Sequence, residues 1–159
     1  MKPKLLPLLA ILLVFFSCND VTEVSPNIRI SGVYESTREA ALGDGETKYD
    51  LVDKLIFKAD GTFTGENITL SGGTDEILGY RAVYSGTYTV SEQKVAITYE
   101  DPLEINMRDI YYIPKDALTL MEGVSYSLEY AVSDSYSRLS IICPEFAKCA
   151  PPVPYIKVD

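Results

Sequence analysis

The chain has 159 residues, the size of one ordinary domain. Its 14 Lys and Arg against 23 Asp and Glu give a formal charge of −9, which repels nucleic acid and anionic headgroups. It contains no histidine, which removes Ser-His-Asp and Cys-His catalysis, His-ligated zinc and the commonest general base near neutral pH.

Met1-Lys2-Pro3-Lys4 is a short basic start, followed by an apolar run from Leu5 to Phe16 broken only by Pro7. As a helix that run reaches about 18 Å, short of the ~30 Å hydrocarbon core. With the small Ser17 after it, residues 1–17 read as a secretory signal. An ordinary cut wants small residues at the last position and two before it, and Phe15 is too large for the latter. The segment Phe15-Phe16-Ser17-Cys18 resembles the lipobox of bacterial lipoproteins. That resemblance implies a diacylglyceryl group on the Cys18 sulfur, cleavage before it and fatty acylation of the new amine. Two or more acyl chains hold a protein stably at a membrane. Residues 18–27 then form a lipidated polar tether and residues 28–159 the folded domain. Loss of Lys2 and Lys4 takes the charge from −9 to −11, so the lipid on Cys18 is the expected membrane partner. Asn19 is not the Asp that retains such lipoproteins at an inner membrane, so the expected site is the outer membrane, facing periplasm or cell surface.

From Ile28 onward apolar residues alternate with period two, with turn residues every ten or so positions. That pattern predicts strands. Ile28, Ile30, Gly32 and Tyr34 share one face of a first strand. Leu55 and Phe57 lead through Asp60-Gly61 to Phe63, the signature of a tight hairpin. Ser71-Gly72-Gly73 is a loop tip. Ala82, Tyr84, Gly86, Tyr88 and Val90 lie on one strand face, with Arg81, Ser85, Thr87 and Thr89 on the other. Val95, Ile97 and Tyr99 follow, with a break expected at Asp101-Pro102. Further strands are expected over Ile105 to Ile113, near Leu118 and Leu120, over Val124 to Val132, and as a long strand from Leu139. No amphipathic helix of normal length is visible, although Glu35 to Leu42 admits a helical turn. The fold class is all-β: a single antiparallel up-and-down barrel of eight to ten strands, with a β-sandwich as the alternative.

Gly32-Val33-Tyr34, Leu55-Ile56-Phe57-Lys58-Ala59-Asp60-Gly61-Thr62-Phe63 and Tyr84-Ser85-Gly86-Thr87-Tyr88 together resemble the lipocalin-like domains of small bacterial lipoproteins. The likeness spans roughly residues 28–120 and implies the barrel fold. Tyr34 stands where lipocalins proper carry a barrel-base Trp.

Cys143 and Cys149 are the cysteines left once Cys18 is lipidated, and an even pair in an exported protein reads as a disulfide. Asp44, Glu46, Asp50 and Asp53 cluster around a Gly-rich loop but miss the calcium-loop spacing, so they read as surface charge, and no metal or other cofactor is expected. No nucleophile–base set stands out, and the domain reads as non-catalytic. Tyr84 with Tyr88, and Tyr126 with Tyr130, place aromatic pairs on single strand faces. Packed together they are core; facing a void they would line a site for a small apolar or amphipathic molecule. The alternative function is a protein-interaction module of the envelope, with Gly72-Gly73 and the Cys143–Cys149 loop as its surfaces.

Overall fold

The computed structural model describes residues 24–41, 45–108, 111–133, 135–145, 147 and 153–158. A one-turn helix, α1 (Pro26–Ile30), precedes nine strands: β1 (Gly32–Ala41), β2 (Lys48–Phe57), β3 (Thr62–Ser71), β4 (Ile77–Ser91), β5 (Lys94–Ile105), β6 (Thr119–Met121), β7 (Ser127–Val132), β8 (Arg138–Ile141) and β9 (Tyr155–Lys157). All pairings are antiparallel, in the order β4-β3-β2-β1-β9-β8-β7-β5, and β4 also pairs with β5. The ring of eight strands is therefore closed, which settles the barrel over the sandwich. β6 lies outside it, on the β5 edge above β7.

Several local expectations give way. Ile28 and Ile30 belong to α1, not to a first strand; Pro26 at its first position supplies a preset φ, and Ile30 is fully buried. Glu35 to Ala41, where a helical turn was admissible, is strand β1. The Asp60-Gly61 turn is a three-residue connection in which only Gly61 takes positive φ (88°), and Asp60 Oδ1 accepts the Thr62 N–H (2.9 Å) and hydroxyl (2.6 Å). β5 runs through Asp101-Pro102 to Ile105, absorbing the interruption as a register shift against β4. Beyond Ile105 the described residues up to Tyr112 form no strand, and Ile113 makes an isolated bridge to Tyr80. The strand from Leu139 is short, and β9, inserted between β1 and β8, completes the wall.

Period-two alternation turns one face of each strand inward, but the two ends of the barrel are filled differently. The end nearest α1 is solid. Tyr34, Leu55, Phe63, Val95, Ile97 and Leu139 are at most 1% exposed there. Their aromatic neighbours pack edge to face: Tyr34 on Phe57 (5.6 Å, 86°) and Phe57 on Tyr88 (4.9 Å, 83°). The Tyr34 hydroxyl donates to the Tyr136 carbonyl (2.6 Å), tying β1 to the β7–β8 turn. The Tyr88 hydroxyl donates to the Lys58 carbonyl, and Arg29 of α1 lies 4.4 Å over the Tyr136 ring.

At the other end, residues 111–113 cover β2–β4. Thr69, fully buried, donates to the Tyr111 carbonyl (2.8 Å), and Tyr49 packs on both Tyr111 and Tyr112. Gly79 admits this crossing, since a Cβ there would stand 2.6 Å from the Ile113 oxygen. The ring, its core and this cover all fall between Pro26 and Val158, so the barrel carries its own core. Tyr34→Phe keeps the ring but leaves the Tyr136 carbonyl unpaired in the core. It should lower stability by about 1–2 kcal/mol, read as an earlier urea midpoint with an unchanged denaturant slope.

Candidate functional site

Above the solid end the barrel opens into a cavity of about 730 Å³. Its position follows from strand geometry. Tyr84 and Tyr88 share a face of β4, but four residues separate them by about 13 Å. Tyr88 therefore belongs to the solid end, whereas Tyr84 reaches the cavity. Tyr126 and Tyr130 also line it, joined by Tyr99 from β5 and Tyr155 from β9. Leu103, Ile105, Leu128 and Ile141 supply aliphatic wall, and Ser36, Asn67, Arg38 and Asp53 the polar part.

The five tyrosines act as one group. Tyr99 stacks on Tyr126 (4.2 Å, 14°) and packs against Tyr84 (5.1 Å); Tyr130 meets Tyr155 edge to face (5.8 Å). The Tyr130 hydroxyl meets those of Tyr99 and Tyr155, and the Tyr84 hydroxyl donates to Asn67 Oδ1 (3.1 Å). Burial pushes the Tyr84, Tyr99 and Tyr155 phenols well above their ordinary range. Burial also raises Tyr130, to about 12, with the bonds from its two neighbours opposing the rise. All four are thus neutral near pH 7 and present ring faces backed by paired hydroxyls. Gly65 makes room for one of them: a Cβ there would fall within 1.9 Å of the Tyr84 ring.

One charged pair is turned inward by a bulge. Asn67 pairs with Ala82 and Ile68 with Tyr80, leaving Arg81 as the extra residue of β4. Alternation assigns Arg81 to the outer face, but the bulge swings it to Asp53 Oδ1 (2.6 Å) and to the carbonyls of Val52 (3.2 Å) and Ile68 (3.1 Å). The pair is mostly buried, and Arg81 Nε has no hydrogen-bond partner among the described residues. The acidic cluster expected around the Gly-rich loop is accordingly dispersed: Asp53 serves Arg81, Asp50 accepts the Gly73 N–H (2.8 Å), Glu46 is exposed, and Asp44 lies outside the described residues. Among the described residues no group of three or more acidic or thiol side chains is placed to hold a metal.

A family model for the lipocalin-like domain matches residues 30–120, from the end of α1 into β6. The chain belongs to the lipocalin-like family. No curated protein and no solved structure matches it. In this lipocalin-like barrel the match takes in β1–β5 and the Arg81 bulge, while β7–β9 complete the ring beyond it.

Of the four tyrosines singled out by alternation, three reach the cavity and Tyr88 does not. Tyr99, Tyr155, Arg38 and Asp53 join them without a motif to mark them; their shared signal is inward parity at the right height. Cys18 lies outside the described residues, as does Cys149; Cys143 is exposed just past β8. The buried phenols fix a pH dependence. Because their folded pKa values lie above the unfolded value near 10, their contribution is complete below pH 10 and is lost as pH rises through the folded values. Unfolding free energy should therefore hold steady from pH 8 to 10 and fall above it, and an absorbance titration should show Tyr84, Tyr99, Tyr130 and Tyr155 ionising only with unfolding.

Proposed function

We propose that this lipocalin-like domain is a non-catalytic carrier that binds a small apolar or amphipathic molecule in the open half of its barrel, on a lipoprotein anchored to the cell envelope. The observation that carries the reading is the cavity itself: about 730 Å³, walled by tyrosine faces and aliphatic side chains above a solid base. That volume lies in the range of small-molecule sites, and an apolar wall with few polar groups suits a ligand held by burial. The phenols that could have served as acids or bases are held neutral by burial and satisfied by one another or by Asn67. This favours holding a molecule over transforming it.

Native mass spectrometry of residues 19–159, purified without detergent, should show a co-purifying small molecule. Ala82→Phe, which fills the cavity from the β4 wall, should remove that mass while near-ultraviolet circular dichroism keeps its folded signature. A wild-type spectrum of bare protein that takes up no apolar additive would sink the carrier reading.

Anchoring rests on the lipobox resemblance at Cys18. Fatty-acid label should enter the wild-type chain in a bacterial host and be absent from Cys18→Ala. Pairing of Cys143 with Cys149 belongs to the same export reading. Both thiols should resist alkylation until reduced, and Cys143→Ser should cost about 2 kcal/mol on the loop-entropy model.

A further inference from the structure

We propose that the ligand is an amphiphile with a single anionic head, its head held by Arg38 at the mouth and its apolar body lying over the tyrosine floor. The inference rests on the carrier reading and assigns the chemical class. On β1 the inward parity runs Tyr34, Ser36, Arg38: the first is fully buried in the solid end, the second buried beside the cavity, the third exposed at its mouth. Arg38 thus stands about 13 Å above Tyr34 along the strand.

The charges around it decide the sign. The chain carries −9 overall, yet the cavity does not share that charge. Among the described lining residues the one carboxylate, Asp53, is already engaged by Arg81 at 2.6 Å. The Arg38 side chain has no ion pair or hydrogen bond among the described residues. Glu35, on the outer face of β1, pairs with Lys54 (2.7 Å), and Glu39 alternates to that same face. The phenols are held neutral. Among the described lining residues the one charge left unbalanced is therefore that of Arg38, on a guanidinium whose planar fork suits a carboxylate.

Polarity is graded to match. Arg38, Asp53 and Asn67 form the polar side, while Leu103, Leu128 and Ile141 line the wall around Tyr99 and Tyr130. A neutral apolar ligand would fill the wall and leave Arg38 to water. A cationic one would meet Arg38 with Asp53 already taken. An anionic amphiphile satisfies both parts.

Three probes of equal chain length separate the terms: dodecanoate, dodecanol and dodecylammonium, the two ions titrated below their micelle concentrations and the alcohol below its solubility limit, into residues 19–159. Dodecanoate should bind about tenfold more tightly than dodecanol, with dodecylammonium weakest. Arg38→Gln should bring dodecanoate down to the dodecanol value and leave dodecanol unchanged, and Arg38→Lys should restore part of the preference. Arg38 is exposed, so neither substitution threatens the fold. Dodecanol binding as tightly as dodecanoate, or a preference that survives Arg38→Gln, would overturn the head-group assignment and leave the carrier reading intact. If none of the three binds, both fall.

Discussion

The hydrogen bond from Tyr34 to the Tyr136 carbonyl joins the first strand of the barrel to the turn between its seventh and eighth. β9 is laid between those two walls, pairing with Tyr34 and Glu35 on one side and with Arg138 and Leu139 on the other. Around this joint the ring closes. The geometry is held under strain: Tyr136 sits at φ 56°, a region that costs a non-glycine residue on the order of 1–2 kcal/mol. Its carbonyl and ring are both engaged in return, by Tyr34 below and Arg29 above. Lys157 adds a bond to the Ser31 carbonyl, so α1, β1, β9 and the β7–β8 turn share one knot.

With that end secured and packed with aromatic rings, the opposite end is free to remain hollow. A barrel of this size can be filled by side chains or can hold one small ligand. Here the two solutions occupy the two halves. The division shows in the tyrosines: those near α1 donate to main-chain carbonyls, whereas most of those in the hollow half bond to one another. Gly65 and Gly86 work in the same direction, since side chains there would collide with the Tyr84 ring and the Thr98 backbone respectively.

Much of this was legible in the alternation. Inward parity placed Tyr34, Leu55, Phe57, Tyr84, Tyr88 and Tyr130 correctly, because a period of two has only two answers and burial selects one. Height along the barrel was not legible, as parity is silent about whether Tyr84 or Tyr88 meets the hollow. Arg81 escaped for a different reason: a single unpaired residue reverses parity locally, and no residue type announces it. Ile28 and Ile30, two apart with Pro26 ahead, fit a strand face or one helical turn equally well, and packing against the barrel end decided between them. Ile105 to Ile113 reads as a strand, but Tyr111 and Tyr112 lie against Thr69 and Tyr49 instead of extending the wall.

Closure by β9 also governs the order of assembly. The strand that completes the ring comes from residues 155–157, while its partner β1 begins at Gly32. A chain emerging from its N-terminus can zip β1 through β5 by local hairpins, but it cannot close until residues 155–157 have appeared. Until then β1 and β8 present bare edges, which invite pairing with other chains. Long-range closure of this kind is the slow step of β topologies. The exposed period of this protein's life is thus set by a strand of three residues, β9, whose arrival covers the β1 and β8 edges at once.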